Sequence, residues 1–339
     1  MLSIGAAGGG ACYDDFPMRI LVTGGAGYIG SVTAEELLRA GHDVIVIDNL
    51  SYGHRAAVPP GAEFVKLDLL DTEALKKAVK SRGIEAVVHL AGSTLVSESV
   101  RNPALYYRNN VMTGLSLLEA MSEGGVRRIV FSSTAAVYGD QEKQPIDESA
   151  RTMPVNPYGE TKLAVERLLH WYGQAHGIEA VILRYFNAAG ASEALGEAHD
   201  PETHLIPIVL DAAAGKRPHV DIYGGDYSTR DGTCVRDYVH VVDLASAHVL
   251  ALESGAAGTY NVGCAGAGYT VREVIDAARR ITGRNLVARE AARREGDPAV
   301  LIASSDRIRK ELGWKPAKQD LQTIIGSAWD WRLRHPNGY

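Results

Sequence analysis

The sequence predicts an α/β fold, in which a Rossmann-type, doubly wound parallel sheet is joined to a smaller mixed α/β domain at the C-terminal end. Two observations predict it. Short apolar runs alternate with amphipathic helical stretches through the first half of the chain, and the first of these units contains a glycine-rich turn. We expect residues 1–17 to be a disordered extension, 18–187 with 237–262 to form the sheet domain, and 188–236 with 263–339 to form the second domain.

The first unit, residues 19–49, reads RILVTGGAGYIGSVTAEELLRAGHDVIVIDN. A strand enters a turn that carries Gly24, Gly27 and Gly30, and a helix and a second strand follow. Because glycine has no side chain, a pyrophosphate can approach the backbone N–H groups at the positive N-terminus of this helix. Asp48 ends the second strand, where its carboxylate can accept hydrogen bonds from ribose hydroxyls and would repel a 2′-phosphate. The unit therefore predicts bound NAD rather than NADP.

The later elements follow from local patterns. Runs of apolar and β-branched residues predict buried strands, whereas apolar residues three and four apart predict helices. The predicted strands cover residues 63–67, 86–90, 129–131, 180–185 and 259–262. The predicted helices cover residues 104–123, 158–176, 241–253, 305–312 and 321–335, and a capping box at Thr270 starts another. In the helix at 104–123, Tyr107, Val111, Leu115 and Leu118 are expected to share one face.

Charge and hydropathy exclude two classes of function. The net charge of −6 over 339 residues and the lack of a basic run argue against nucleic-acid binding. No apolar stretch approaches the ~20 residues that span a bilayer, so no membrane association is expected. Residues 1–17 lack the basic leader and apolar core of a signal peptide. We therefore expect a cytoplasmic protein.

Cysteine and histidine residues give no sign of a metal site. The three cysteines, Cys12, Cys234 and Cys264, are scattered and are expected to be reduced thiols. No histidine is paired with cysteine or carboxylate residues at a ligand spacing that we recognise. The sequence therefore predicts that no metal is bound.

The main catalytic pattern is Tyr158-Gly-Glu-Thr-Lys162, which places a phenol and an ammonium on one helix face. A tyrosine pKa of about 10 is too high for a base at neutral pH. A nearby lysine, aided by the positive nicotinamide ring, favours the phenolate and lowers that pKa. Ser133 and Thr134 follow the strand at 129–131, and one of their hydroxyls is expected to share a substrate hydroxyl with Tyr158.

From residue 18 to residue 339 the chain resembles the extended short-chain dehydrogenase/reductases, and within them the UDP-glucose (UDP-galactose) 4-epimerases. The motifs that carry the resemblance are TGGAGYIGS (23–31), DNL (48–50), YYRNNV (106–111), FSSTAAVYGD (131–140), NPYGETK (156–162), LRYFNAAGA (183–191), DGTCVRDYVHV (231–241) and RREGDPA (293–299). The resemblance implies an NAD-dependent isomerase of UDP-sugars in galactose metabolism. It also implies a homodimer, because members commonly pair through helices that match residues 104–123 and 158–176.

The resemblance assigns the catalytic roles. Tyr158 would take the proton of the sugar 4-hydroxyl while hydride passes to NAD, Lys162 would tune Tyr158, and Thr134 would supply the family's catalytic hydroxyl. The 4-keto sugar would then turn over in the site and receive hydride on its other face. The net reaction would interconvert UDP-glucose and UDP-galactose.

The resemblance also implies which residues bind the ligands. Asn187, Arg236 and Arg294 match contacts to the substrate diphosphate, Asp297 matches a contact to the uridine ribose, and Tyr223 matches an aromatic that stacks on uracil. The set implied for NAD is Gly24, Gly27, Tyr28, Ile29, Gly30, Asp48, Asn49, Asp68, Leu69, Leu90, Ala91, Gly92, Asn109, Ser132, Tyr158, Lys162 and Tyr185. The set implied for the UDP-sugar is Thr134, Tyr158, Asn187, His204, Leu205, Tyr223, Arg236, Arg294, Asp297 and Leu301.

Several residues bear on alternative functions. Related 4,6-dehydratases carry Asp-Glu after the catalytic threonine, and Ala135 and Ala136 stand there in this chain, so dehydration is disfavoured. Leu301 stands where a tyrosine narrows the hexose pocket in some members. UDP-N-acetylhexosamines and UDP-pentoses (UDP-xylose, UDP-arabinose) therefore remain alternative substrates. A non-catalytic NAD-binding protein of this fold is the other alternative, and the presence of Tyr158 and Lys162 argues against it.

Overall fold

The computed structural model describes residues 17–264, 266–294 and 297–339. The extension expected at residues 1–17 lies outside them except for Pro17, and it stays a prediction. The strands are β1 (Arg19–Thr23), β2 (Asp43–Asp48), β3 (Glu63–Lys66), β4 (Ala86–His89), β5 (Arg128–Thr134), β6 (Glu179–Tyr185), β7 (Asn187–Ala189), β8 (Val220–Tyr223), β9 (Val235–Arg236), β10 (Tyr238–His240), β11 (Gly258–Val262), β12 (Tyr269–Thr270), β13 (Ala288–Ala291) and β14 (Val300–Leu301). The α-helices are α1 (Tyr28–Arg39), α2 (Thr72–Ser81), α3 (Val96–Arg101), α4 (Pro103–Tyr106), α5 (Thr113–Gly124), α6 (Pro157–His176), α7 (Leu205–Ala213), α8 (Val241–Glu253), α9 (Val271–Thr282), α10 (Asp306–Leu312) and α11 (Leu321–Arg334).

Within the described residues, one seven-stranded sheet has the order β3-β2-β1-β4-β5-β6-β11. All of its neighbouring strands are parallel, and Ile20 of β1 pairs with Val44 of β2 on one side and with Ala86 of β4 on the other. The direction of strand succession reverses between β1 and β4, and the carboxyl ends of both strands border the resulting crevice. The structure thus confirms the doubly wound, Rossmann-type fold.

Helices cover both faces of this sheet. Successive side chains of a strand point to opposite faces, so Ile20 and Val22 pack in a cluster with Leu244 of α8, whereas Leu21 packs in a cluster with Leu117 of α5 and Val165 of α6. This alternation of fully buried side chains explains why the strands read as continuous apolar runs. It also places α1 against one face of the sheet, through Leu37, and α6 against the other, through Val165.

The remaining elements form a smaller, mixed unit, as predicted. Helices α7, α9 and α11 enclose an apolar cluster that includes Ile206, Val220, Ile275 and Ile324. Strands β8 and β13 pair in parallel, and β12, β9 and β14 form a small three-stranded sheet. The predicted capping box at Thr270 is confirmed, because its hydroxyl accepts from the Glu273 amide and the Glu273 carboxylate accepts from the Thr270 amide.

The helix predicted at residues 104–123 differs from the structure. It begins as α4, widens into a π-helical segment at Tyr107–Met112, and continues as α5. The wider turn breaks the 3.6-residue periodicity, so the predicted common face is split: Tyr107 is exposed, whereas Leu118 is buried. Among the described residues, no helix has both the length and the apolar character needed to cross a membrane.

Candidate active site

The glycine turn between β1 and α1 is closely packed against the end of β4. Gly24 has a φ of +72°, and a Cβ on it would lie 2.6 Å from the amide nitrogen of Ala91. A Cβ on Gly30 would overlap the Gly24 carbonyl oxygen. The helix begins at N-cap Gly27 without a side-chain cap, so the amides of its first turn, at Tyr28 and Ile29, have no side chain to satisfy them. This cradle fits a pyrophosphate.

The carboxylate of Asp48 lies beside this turn, at the end of β2. It accepts hydrogen bonds from the amides of Ala26 (3.1 Å) and Leu50 (2.8 Å). Burial raises the pKa of Asp48, and these two hydrogen bonds oppose that rise. Next to it, the side-chain amide of Asn49 donates to the Asp68 carboxylate at 3.0 Å. The donors and acceptors therefore fit the adenosine half of NAD, and a half-buried carboxylate here would repel a 2′-phosphate.

The predicted contacts along β4 lie close to the turn as well. Leu90, Ala91 and Gly92 follow directly after β4, and the packing of Gly24 against Ala91 brings them to the crevice. Asn109 donates to the Ser93 hydroxyl at 3.1 Å. Leu69 differs, because its side chain is buried in the core below the sheet edge. Only the Leu69 backbone can therefore contact a nucleotide.

Tyr158 and Thr134 meet at the carboxyl end of β5. The Thr134 hydroxyl lies near enough to the Tyr158 phenol to lower the pKa of Tyr158. Burial has the larger and opposite effect, so the pKa of Tyr158 is raised above its ordinary value. The prediction that Lys162 lowers it is therefore not met by the protein alone. The other effect predicted to lower the pKa of Tyr158, the positive charge of the nicotinamide ring, comes from NAD and not from the protein.

Lys162 lies one helical turn after Tyr158 and is buried. Its Nζ donates to the carbonyl oxygen of Ser132 at 2.9 Å and lies 5.1 Å from the centre of the Phe131 ring. Burial lowers the pKa of Lys162 to about 8, against the opposing charge of Glu166. Tyr185, also predicted to bind NAD, bonds through its phenol to His248 on α8. The nicotinamide end predicted from the sequence is thus assembled at the ends of β5 and β6.

The residues predicted to bind the UDP-sugar come together from separate segments. The guanidinium of Arg236 donates to the Asp297 carboxylate and to the Pro298 carbonyl oxygen. The guanidinium carbon of Arg294 lies 4.0 Å from the centre of the Tyr223 ring. The Asp297 amide is 3.4 Å from the Arg294 carbonyl oxygen, which links the two pairs. A planar cation next to an aromatic ring suits a nucleotide diphosphate.

Leu301 and Asn187 connect this group to the catalytic residues. Leu301 on β14 pairs with Arg236 on β9, and its side chain packs against the cluster that contains Ala135 and Leu163, the neighbours of Thr134 and Lys162. Asn187 donates through its amide side chain to the Asp237 carbonyl oxygen at 2.9 Å. These contacts connect the residues predicted to bind the uridine and diphosphate to the residues predicted to act on the sugar.

Known proteins match this chain over most of its length. The NAD dependent epimerase/dehydratase family matches residues 20–263. The UDP-glucose 4-epimerase of Lacticaseibacillus casei is 50% identical over 328 residues, which cover 95% of this chain and 99% of that protein. The chain belongs to the UDP-glucose 4-epimerase family.

Solved structures agree with this membership. A UDP-glucose 4-epimerase from Brucella ovis in complex with NAD has a TM-score of 0.89 and 46% identity, and the match covers 92% of this chain and 98% of that one. A UDP-glucose 4-epimerase from Bifidobacterium longum in complex with NAD+ and UDP has a TM-score of 0.90 and 38% identity, over 95% and 100% of the two chains. The NAD cofactor predicted from the glycine turn and Asp48 is thus confirmed at the level of the epimerase family.

One predicted catalytic hydroxyl does not face the site of this family member. Ser133 is buried, and its hydroxyl donates to the carboxylate of Glu166 on α6. The same carboxylate receives two hydrogen bonds from Arg184, at 3.0 and 2.6 Å. Consecutive residues of a strand point to opposite faces, so Thr134 faces Tyr158 while Ser133 faces the protein interior. The Ser133 hydroxyl is therefore already bonded inside the protein, which favours Thr134 as the hydroxyl that acts with Tyr158.

His204, predicted to bind the UDP-sugar, contacts two carboxylates in the structure. Its Nδ1 lies 2.8 Å from Glu197 and 3.1 Å from Glu202, and Nδ1 of His199 lies 2.9 Å from Glu197. The expectation that no histidine pairs with carboxylates is thus wrong. Burial lowers the pKa of His204, but Glu197 and then Glu202 outweigh it and raise that pKa to about 10. Leu205 opens α7 and packs against the apolar cluster of the second unit.

Two supporting residues of this epimerase fold escaped the sequence analysis. The side chain of Asn110, in the π-helical segment, donates to the Ser93 carbonyl oxygen (3.1 Å) and to the Thr161 hydroxyl (3.0 Å). Thr161 in turn donates to the Tyr158 carbonyl oxygen, so Asn110 supports the first turn of α6. Glu166 stands four residues after Lys162. This four-residue spacing could have indicated from the sequence that Glu166 lies beside Lys162, since it places the two side chains on one helix face.

Replacing Lys162 by methionine should stabilise the nucleotide-free protein at pH 7 while abolishing activity. Burial lowers the pKa of Lys162 from 10.5 to about 8, so the charged lysine lowers the free energy of unfolding by about 3 kcal/mol. The methionine variant avoids this cost but loses the hydrogen bond to Ser132, which contributes about 1 kcal/mol. Between pH 8 and pH 10.5 native Lys162 is neutral while the unfolded lysine is still charged, so wild-type stability rises with pH. Urea unfolding should show that Lys162→Met is more stable than the wild type by about 2 kcal/mol at pH 7, and this difference should shrink as the pH approaches 10. A constant difference across this range would contradict the argument.

Proposed function

We propose that this protein is an NAD-dependent UDP-glucose 4-epimerase, which interconverts UDP-glucose and UDP-galactose. The observation that carries the proposal is the proximity of the Tyr158 phenol and the Thr134 hydroxyl, one turn from buried Lys162 and next to a dinucleotide cradle. NAD, when bound, supplies the hydride acceptor and donor at sugar C4. The relatives act as UDP-glucose 4-epimerases, and the chain covers nearly their full length.

Each proposed residue has a defined task. Tyr158 accepts the proton of the sugar 4-hydroxyl and returns it in the second half of the reaction. Thr134 shares that hydroxyl and guides its proton, while Lys162 orients the site through its bond to Ser132. Arg236 and Arg294, with Asn187 and His204, hold the diphosphate, Asp297 holds the uridine ribose, and Tyr223 stacks on uracil.

The absence of acidic side chains after Thr134 argues against dehydration. The residues at these two positions are Ala135 and Ala136, and together with Val137 they form a short 3₁₀ turn. An alanine methyl group can neither donate nor accept the proton that loss of the 6-hydroxyl requires. The site is thus suited to returning hydride to the sugar rather than to removing water.

We propose that each of the two units binds one ligand. Residues 18–187 and 237–262 bind NAD, while residues 188–236 and 263–339 bind the UDP-sugar. Strand β11, at the edge of the large sheet, and α8, which packs on α1, support the assignment of 237–262 to the NAD-binding part. The site therefore lies where the second unit meets the carboxyl edge of the sheet.

We also propose that the chain acts as a cytoplasmic homodimer. Large apolar side chains on and near α3, α5 and α6, including Val100, Met112 and Trp171, are exposed by more than half. Such a patch favours association of two chains through this face. The described cysteines, Cys234 and Cys264, are buried free thiols, as a reducing compartment favours. Light scattering should give the mass of two chains, and the mass of one chain would contradict the dimer.

The function is tested by incubating the purified protein with UDP-galactose without added NAD and separating the UDP-sugars by chromatography. UDP-glucose without net NADH would support epimerisation with a retained cofactor. If no product forms, the incubation is repeated with added NAD, because a protein that loses NAD during purification is active only when NAD is supplied. Absence of product under both conditions would contradict the proposal.

The size of the sugar pocket should depend on Leu301. Because this side chain packs beside Ala135 and opposite Arg236, leucine leaves room that a larger side chain would fill. We expect Leu301→Tyr to lower kcat/KM for UDP-N-acetylgalactosamine relative to UDP-galactose by about tenfold to a hundredfold. Leu301→Met, which keeps the volume, is the control. Equal ratios in all three proteins would remove Leu301 from substrate selection, and UDP-xylose can be compared in the same assay.

A further inference from the structure

We propose that Glu197, His199, Glu202 and His204 bind one Zn²⁺ ion, in a structural site that the epimerase reaction does not require. These residues lie in the segment between β7 and α7. Their four ligand atoms, two imidazole nitrogens and two carboxylate oxygens, all lie within 4.8 Å of one another. Imidazole and carboxylate together are a donor set suited to zinc.

The spacing of the donor atoms is close to that of a tetrahedral site. Nδ1 of His199 and Nδ1 of His204 both point to the same oxygen of Glu197, at 2.9 and 2.8 Å, and Nδ1 of His204 lies 3.1 Å from Glu202. In tetrahedral zinc sites with bonds of about 2.0–2.1 Å, neighbouring ligand atoms lie about 3.3 Å apart. For these three pairs an outward shift of a few tenths of an ångström is enough to admit the ion, and the other pairs of ligand atoms lie within 4.8 Å of one another.

The two buried carboxylates of the cluster need positive charge beside them, which the protonated His204 supplies in the metal-free protein and which a divalent ion can supply in its place. The side chains of Glu197 and Glu202 are each only 7% exposed, although both are carboxylates. Burying two like charges side by side is costly unless positive charge compensates them. A divalent ion neutralises both carboxylates at once, and its binding releases the protons that the imidazole Nδ1 atoms otherwise carry.

The backbone around the ligands is already held in place. The carbonyl oxygen of Ala198, between the first two ligands, bonds to Nε2 of His54 at 2.8 Å. The amide and carbonyl of Gly196 both bond to the phenol of Tyr339, at 2.9 and 3.0 Å. The Tyr28 ring stands edge-on to the His199 ring, with centroids 6.3 Å apart. Fixed ligands lower the conformational entropy that metal binding costs.

The proposed ion would tie the end of β7 to the start of α7. His204 is the residue before α7, and coordination through Nδ1 leaves its Nε2 available for the diphosphate contact, a role that rests on the proposed function. Zinc would thus fix the orientation of His204 rather than replace that contact. Because no proposed chemical step uses Glu197, His199 or Glu202, epimerase activity and metal binding can be measured separately.

The experiment uses the full-length chain without a histidine tag, treated with a chelator and dialysed. Calorimetric titration with Zn²⁺ should give about one ion per chain, and Co²⁺ should give the visible absorption of a tetrahedral nitrogen and oxygen site. His199→Ala should weaken Zn²⁺ binding at least tenfold and abolish the Co²⁺ absorption. His219→Ala, which removes a histidine paired with Asp221 outside the cluster, is the matched control and should bind like the wild type.

Thermal unfolding in the absence of metal verifies that each variant is folded. Failure of the wild-type protein to bind Zn²⁺ stoichiometrically would overturn the proposal without reference to any variant. Binding that His199→Ala leaves unchanged would overturn it as well, because the ion would then be held elsewhere. UDP-galactose conversion, assayed on the same samples with and without chelator, distinguishes failure of the metal site from failure of the proposed function.

Discussion

Tyr158→Phe is expected to lower the turnover of UDP-galactose by about 10²–10⁴-fold, the contribution typical of a positioned proton acceptor. The change removes one oxygen atom. In the protein that oxygen lies beside the Thr134 hydroxyl, at the position where the sugar hydroxyl is proposed to bind. Phenylalanine keeps the ring, including its edge-to-face contact with Tyr106, whose ring centre is 6.4 Å away. Turnover should therefore fall while KM changes little.

Two measurements separate a lost proton acceptor from a damaged site. The nucleotide content of the purified variant should equal that of the wild type, because the glycine turn and Asp48 are untouched. Tyr172→Phe, on the same helix but packed against His176, is the control and should keep full turnover. Wild-type turnover in Tyr158→Phe would remove this residue from the mechanism.

The pH dependence of the wild-type protein bears on the same residue. Because burial raises the pKa of Tyr158 in the protein alone, a base at neutral pH requires the positive charge of the oxidised nicotinamide ring. Burial and Thr134 are the causes of the shift in the protein alone, and the Lys162 ammonium donates to the Ser132 carbonyl oxygen. The Tyr-Lys pair thus stays a prediction, and in the protein alone burial outweighs the effect that lowers the pKa of Tyr158.

The parts that the sequence predicted are those fixed by local rules. Glycines at 24 and 30 are required by contacts shorter than any side chain allows, and such positions are visible in a single sequence. The strands of the large sheet were found because they are buried on both faces and so read as apolar runs. Helix α8 was predicted with its observed bounds, because a continuous helical pattern follows directly on the short strand β10.

The parts that the sequence did not predict depend on long-range geometry. Ser133 and Thr134 are adjacent, and only the position of Glu166 on a distant helix shows which hydroxyl is already bonded. The π-helical segment is invisible to a 3.6-residue periodicity, since it forms to place Asn110 against Ser93. His199 and His204 approach Glu197 because the intervening segment folds back on itself, and apolar periodicity carries no signal for that turn.

Glu166→Gln is expected to lower the free energy of unfolding by about 3–5 kcal/mol, the cost of breaking a buried ion pair from one side. The side chains of Glu166 and Arg184 are 7% and 8% exposed, and the guanidinium binds both carboxylate oxygens. The glutamine oxygen can still accept one hydrogen bond from Arg184, but the buried guanidinium loses the negative charge that balances it and keeps its bond to the Tyr138 hydroxyl at 3.0 Å. Ser133 also loses a charged acceptor.

Glu160→Gln, on the same helix, is the matched control for this prediction. Its pair with Arg167 is exposed and has an N–O distance of 3.7 Å, so its loss should cost less than about 1 kcal/mol. Urea unfolding of the two variants compares a buried and an exposed pair within one helix, and equal losses would show that the buried pair contributes no more than a surface one. Because Glu166 also raises the pKa of Lys162, its replacement should lower that pKa further. The pair behind β5 thus supports both the fold and the charge on the proposed catalytic lysine.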